Sequence, residues 1–530
     1  MKPQIINIIN FIRAVDPREP GLDLIEPVKN QLELLEKYKL QGTFLIQYDA
    51  MLKPEFVDLL KKPSNRKHEI GAWFEVVQPM VEKAGLKWRG RPGFAWDWHA
   101  DVGFLIGYTP KEREILSDTF MEGFMNTFGY YPKSVGSWLI DAYTLDYLER
   151  KYGITASCNC RDQWGTDGYT LWGGYYNQAY YPSKKNVFCP AQTEENQINI
   201  PVFRMLGSDP IYQYDAGLIT GDVFSSSPAQ PVITLEPVYP VGGGSEEWVK
   251  WFLSEIFNGK CLSFGYTQVG QENSFGWPSM GKGLSMQLKL VSEYLAQGKI
   301  RVETLSDSAQ WFRQNFKVTP ASSIAAVSDW KKEGHRSIWY SSRNYRLNLY
   351  QEFGQLWVRD MHVFNEKYEE RYLKNKCDIS SFHYDNLPVM DGNRWSHGRT
   401  RAGIYPVIFG ENGTITSLEV LEPEVTDMGG GLLRISWEMV QGGEFEVLCR
   451  EESIDVYCNG EIAGRWGLKM AWKADKGLPI TNVTNNKLEY LFNGFNYSVN
   501  FSNTSLNGKI DEGSIVIRSQ ENKITINWED

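Results

Sequence analysis

Over the first three-fifths of the chain, short apolar runs alternate with segments whose hydrophobic residues recur at helical spacing. Ile5 to Ile12 is almost continuously apolar and predicts a strand buried on both faces. A helix is expected from Pro27, a favoured first-turn residue, because Val28, Leu32 and Leu35 then share one face. Gly42 to Gln47 predicts a second strand, Phe56 to Leu60 a helix, and Glu69 to Val76 a third strand. The stripe Leu116, Phe120, Phe124 marks a helix ending near Gly129 and Pro132, before a strand at Ser134 to Ile140 and a helix around Leu145 and Leu148. Further strands are expected at Ile154 to Cys158, Val202 to Leu206, Val232 to Leu235, Cys261 to Tyr266 and Arg301 to Thr304. Leu284, Leu288, Val291 and Leu295 give a helix between the last two, and Ser306 is expected to cap a final helix through Phe316. This alternation is the signature of βα units around a parallel sheet, and it predicts an α/β fold: a closed or nearly closed (β/α) barrel over residues 1–317.

After Val318 the pattern changes to short alternating segments broken by Gly, Asn and Asp, which predicts an all-β sandwich over residues 318–530. Phe445 to Leu448, Ile454 to Tyr457, Tyr497 to Phe501 and Ile515 to Ile517 have strand composition, and Cys458-Asn459-Gly460-Glu461 predicts a hairpin. The triplets Gly242 to Gly244 and Gly429 to Gly431 lack phosphate-binding spacing and are read as flexible loops.

At 530 residues the chain is long enough for two domains. Its net charge of -10, with no basic run interleaved with aromatics, argues against nucleic acid as a partner. No stretch is apolar enough to cross a bilayer, and the start reads directly into a strand, so a cytoplasmic location is expected unless a leader has been removed. The seven cysteines are scattered and odd in number, which fits buried thiols better than a disulfide framework. Trp 19, Tyr 28 and Phe 26 form a large aromatic complement; most will be core, but flat faces beside polar groups are surfaces on which sugar rings stack.

In parallel barrels the active site is built where strands end, so the polar residues just after each apolar run are the candidates. These are Arg13, Gln47, Glu75, Asp141, Asp162, Gln163, Asp167, Glu236 and Glu272, with Trp73 beside Glu75. Trp96-Asp97-Trp98-His99-Ala100-Asp101 adds two rings, two carboxylates and an imidazole in a long loop. Several carboxylates converging on one mouth are what glycosidic cleavage needs, one as nucleophile or base and another held protonated as acid. For each carboxylate alone the ordinary reading is a loop cap or a salt bridge, so the constellation has the weight. With six histidines dispersed through the chain a three-histidine metal site is not expected.

Three landmarks resemble the superfamily of polysaccharide deacetylases and family 38 and family 57 glycoside hydrolases. Gly42-Thr43-Phe44-Leu45-Ile46 is similar to the deacetylases' second strand. His68-Glu69-Ile70-Gly71 resembles their Gly-His-Glu-Ile-Gly strand, and Tyr131 to Trp138 with Lys151 to Ile154 resembles a later strand and helix. Trp73 and Val77 stand where that family has its metal-binding histidines, and Asn10 to Arg13 where it has an Asp-Asp pair. Val135 to Asp141 resembles the Trp-x-Ile-Asp segment of family 38 α-mannosidases, which implies a nucleophile role for Asp141. The resemblance covers about residues 1–317, implies a barrel of about seven strands, and looks like an uncharacterised bacterial branch without the usual metal motifs.

The expected function is therefore a metal-independent glycoside hydrolase, with no cofactor, acting on an oligo- or polysaccharide. Asp141 is expected as nucleophile or base and Glu75 or Asp97 as acid, with Arg13, Gln47, Trp73, Trp96, Trp98, His99, Asp162, Gln163 and Glu272 around the sugar. The alternatives are a metal-dependent deacetylase using Asp97, His99 and Asp101, and a glycan-binding protein without turnover.

Overall fold

The computed structural model describes residues 2–529 apart from 167–168, 177, 206, 217, 219–231 and 398–399. Strand β1 (Gln4–Ile12) is buried along all but its first residue, as its apolar sequence requires. On one side it is followed in parallel by β2 (Thr43–Ile46), β3 (Glu69–Trp73), β4 (Ser134–Gly136), β5 (Ala156–Asn159) and β6 (Val202–Arg204). On the other side runs β7 (Gly265–Val269), also parallel. The first half of β1 also pairs with β8 (Arg301–Glu303), and Ala179–Tyr180 adds an antiparallel edge beside β6. The sheet curls into a half-barrel, and among the described residues no strand pairing joins β6 to β7.

The helices that return the chain have the expected stripes. In α1 (Ile25–Lys37) Val28, Leu32 and Leu35 are buried, and α2 (Pro110–Phe128) starts with a Thr109–Glu112 capping box and stops at Gly129, whose φ of 84° a left-handed cap requires. Then come α3 (Ala142–Tyr152), α4 (Glu246–Asn258), α5 (Trp277–Ala296) and α6 (Leu305–Asn315). The cap of α6 is Thr304 rather than Ser306: its hydroxyl accepts from the Asp307 N–H.

Two of the expected strands differ. Cys261 to Tyr266 does not extend as a unit, because Ser263 has φ 60° and the Phe264 N–H folds back to the Leu262 carbonyl; the strand begins at Gly265. Val232 to Leu235 forms a single antiparallel bridge, Ser208 to Thr234, and no strand. The chain then turns tightly, with the Gly243 N–H on the Thr234 carbonyl. A Cβ at Gly243 would lie 2.3 Å from the Leu235 carbonyl oxygen, so this triplet is a close-packed turn and not a flexible loop.

From Ser322 onward two antiparallel sheets of ten and eight strands pack face to face, with Leu347, Met361 and Leu468 of one meeting Val447, Ile454 and Ile526 of the other. Cys458 to Glu461 is not a hairpin. The chain leaves Ser453–Asn459 in one sheet and enters Trp466–Ala471 in the other. The second half also packs into the first: Trp339 stacks on Tyr176 at 3.7 Å, Phe382–Tyr384 runs parallel to Tyr169–Leu171, and Phe364 and Cys377 join the core of the half-barrel. All seven cysteines are buried free thiols, and no helix among the described residues is long and apolar enough to cross a membrane.

Candidate active site

A cavity of about 560 Å³ opens where β1, β3 and β7 end. Its floor is built around one guanidinium. Arg13, directly after β1, donates Nε and Nη2 to the two oxygens of Glu75 at 3.1 and 3.0 Å, and Nη1 to Glu272 and Ser274 at 3.2 and 3.4 Å. Gln47, after β2, donates Nε2 to Glu75 at 2.8 Å, and Ser274 donates to Glu272 at 2.6 Å. The loop carrying Glu272 is pinned by Asn273, whose amide donates to the Arg13 and Leu24 carbonyls while its oxygen accepts from the Arg13 N–H. Glu75, Gln47, Arg13 and Glu272 thus come from the ends of four neighbouring strands, β3, β2, β1 and β7.

Electrostatics divides these groups. Burial disfavours the charged carboxylate and pushes Glu75 above the ordinary glutamate range, even though Arg13 pulls the other way. The two carboxylates in turn hold Arg13 firmly charged despite its burial. Beneath the floor, burial raises Asp49 to about 7, with the Ala14 and Ala50 N–H groups as its partners.

Aromatic side chains form the walls. Val77 and Trp96 bridge two chain segments and the Gln78 N–H donates to the Ala95 carbonyl, which swings Trp96 over Arg13 at 4.1 Å. Trp98 follows on the same loop, steadied by Arg91 at 4.3 Å from its ring. Trp138, after β4, meets Trp73 edge to face at 5.5 Å. Arg18 reaches over Trp96 and Trp98 while holding Asp16 through Nε and Nη2.

Of the residues expected from sequence, Glu75, Arg13, Trp96, Trp98, Glu236 and Glu272 line the cavity. Gln47 and Trp73 lie beneath it, both fully buried. The others are held elsewhere. Asp97 is fully buried and receives Arg91 through N, Nε and Nη2 as well as the His99 N–H, so it organises its loop and its charge is neutralised. Arg91 and those N–H groups hold it below the usual aspartate range despite burial. Asp141 is the N-cap of α3, accepting from the Thr144 N–H and hydroxyl, and pairs with buried Arg113 at 3.0 Å. His99 stands at the N-cap position of the short helix Ala100–Gly103 without a side-chain capping bond, its Nδ1 3.6 Å from Asp97. Asp162 accepts from the Gly173 N–H and from Arg346 of the second half. Gln163 opens the strand Gln163–Thr166; its side chain, like Asp167, lies outside the described residues. The expected meeting of Glu75, Asp97 and Asp141 in one cavity is therefore replaced by a meeting of Glu75 and Glu272.

Residues passed over by sequence reasoning include Asp16, Arg18, Glu19, Trp138, Tyr239 and Phe275, all at the cavity wall. Asp16-Pro17-Arg18-Glu19 had a signal, a charged turn immediately after the first strand. Tyr239 had none, because the turn that presents it was read as following a strand.

The residues present do not fit a divalent ion here. Trp73 and Val77, at the places of the family's histidines, are wholly buried and apolar, and a guanidinium already lies between Glu75 and Glu272. Asp97, His99 and Asp101 do not converge; the group of metal-type donors that does, among the described residues, is Asp360, His362 and Asp391. There Arg346 binds Asp360 through two nitrogens and Trp172 donates to Asp391, so the carboxylates are already satisfied.

Comparison with known proteins bears on the fold. Residues 98–318 match a family model described as a domain of unknown function with a solved structure, DUF3863. No curated protein matches the sequence. Among solved structures, a protein from Parabacteroides distasonis provisionally described as a glycoside hydrolase/deacetylase is 15% identical, covering 73% of this chain and 91% of its own, with a TM-score of 0.54. A polysaccharide deacetylase, also provisionally described, from Mycobacterium smegmatis is 13% identical over 60% of this chain and 93% of its own, with a TM-score of 0.37. Over the 73% of its length that aligns, this chain thus shares a fold with the Parabacteroides distasonis protein.

Proposed function

We propose that the protein is a carbohydrate-active hydrolase that cleaves a glycosidic bond of an oligo- or polysaccharide without a divalent ion. The supporting observation is the pair Glu75 and Glu272 at the floor of one aromatic-walled cavity, whose size suits a small ligand. Glu75, pushed up by burial, is the general acid: it gives its proton to the glycosidic oxygen as the bond to the anomeric carbon breaks. Glu272 is the second carboxylate, attacking that carbon or taking a proton from the water that does. Trp98 and Trp138 offer ring faces to the sugar. The name of the Parabacteroides distasonis protein, which shares this fold, agrees with a carbohydrate substrate.

The test is turnover of an oligosaccharide panel by Glu75→Gln and Glu272→Gln, each expected to lose on the order of 10²–10⁴-fold. Asp141→Asn is expected to keep the turnover of its folded fraction, since its carboxylate serves α3 and Arg113. Unchanged turnover in both glutamate variants would remove the assigned roles. One feature favours a rival: both carboxylates are bound by the same guanidinium, as in a site that holds a glycan without cleaving it. Calorimetric sugar binding with no turnover across the panel selects that rival, and chelator-sensitive acetate release selects metal-dependent deacetylation.

A further inference from the structure

The cavity is unevenly charged. Among the described residues, Asp16, Glu19, Glu75, Glu236 and Glu272 border it against Arg13 and Arg18, a formal excess of three negative charges. With Glu75 protonated the excess falls to two, and its sign is unchanged. The buried guanidinium, Arg13, presents no free fork to an incoming anion, and the exposed one, Arg18, is already paired with Asp16. Arg13 spends its nitrogens on Glu75, Glu272 and Ser274, and Arg18 gives Nε and Nη2 to Asp16. Both also lie over the Trp96 ring.

A carboxylate or phosphate on a sugar would therefore enter an enclosure that is negative among the described residues, where the one exposed cation, Arg18, already has Asp16 as its counter-charge. In a partly desolvated cleft such repulsion is stronger than in bulk water. A protonated amine meets the reverse situation, and the electron-rich face of Trp138 adds an attraction that a hydroxyl does not have.

Resting on the carbohydrate reading above, we propose that this cavity selects its sugar by charge. It takes a pyranose bearing a protonated amine in preference to a neutral one, and it rejects uronates and sugar phosphates.

Three ligands that differ mainly in charge provide the test: methyl glucosaminide, methyl glucoside and methyl glucuronide, titrated into the full chain at mildly acid pH and followed by ligand-observed NMR. The aminoglycoside is expected to bind about 10-fold more tightly than the glucoside, with the glucuronide weakest. The preference shrinks as salt is added. Glu19 is exposed, so Glu19→Gln can be made without threatening the fold, and together with Glu236→Gln it lowers the amine-to-neutral ratio severalfold. Equal affinities, or tightest binding of the glucuronide, overturn the charge inference and leave the carbohydrate reading standing. If no glycoside binds but tetramethylammonium does, in competition with salt, the carbohydrate reading falls and the cation preference stands. If neither sugars nor tetramethylammonium bind, both fall.

Discussion

Removing the Arg13 side chain would leave Glu75 and Glu272 buried beside each other with no cation between them. Such a loss costs about 3–5 kcal/mol, because the surviving charges keep their desolvation penalty and lose their partner. Arg13→Ala is expected to show this as a lower urea midpoint, and Arg13→Lys to recover only part of it, since an ammonium cannot fork to two carboxylates. The same substitution bears on proton affinity. Burial already places Glu75 above the glutamate range, so kcat/KM should fall as pH rises through that raised value. Without the Arg13 charge, the alkaline limb of the pH profile should move higher still. At this scale the sequence was only partly legible. Glu75, Arg13 and Glu272 could be found because each directly follows an apolar run. Asp141 follows the same rule and yet serves a helix, and Asp97, singled out for the rings and charges around it, serves its own loop. The order Asp141-Ala142-Tyr143-Thr144 before a helical stripe reads equally well as an N-cap, and the partner that settles the matter, Arg113, lies on another helix.

Among the elements, α3 depends on the second half of the chain. Glu370 accepts from the Ala142 N–H at the start of α3 and from the Val187 N–H, buried beside Asp141. Burial and the neighbouring carboxylate raise it to about 8. The sign follows directly. The folded chain keeps a proton that the unfolded chain releases near the ordinary glutamate value, so this contribution is complete below that value and declines until pH passes about 8. Thermal unfolding across this window should show the decline in the native protein and a smaller one in Glu370→Gln. The strands and helices were the most legible part of the sequence, since period-two and period-3.6 patterns are local. The errors fell where a tertiary contact overrode pattern: the positive φ of Ser263, and the Gly243 turn that holds residues 232–235 on a single bridge.

For the molecule as a whole, a change of pattern at residue 318 suggests a cut that packing does not respect. Trp339, Phe364, Phe382 and Tyr384 complete the core of the half-barrel, and the Tyr176–Trp339 stack would be opened by any division there. Burying these large side chains contributes about 1.5–3 kcal/mol each. A fragment ending at residue 317 is therefore expected to be insoluble or to lack a cooperative unfolding transition by calorimetry, whereas the full chain shows one. Local patterning cannot reveal this, because the contacts join residues more than a hundred positions apart.

Among the described residues no strand pairing closes the sheet between β6 and β7. Glu75, Gln47, Arg13 and Glu272 all stand on the stitched arc β3-β2-β1-β7, where hydrogen bonds run unbroken from strand to strand. Changes on the unstitched side of the sheet would leave the spacing of those four side chains untouched. Size of cargo and proton choreography could then diverge independently among relatives built on this scaffold.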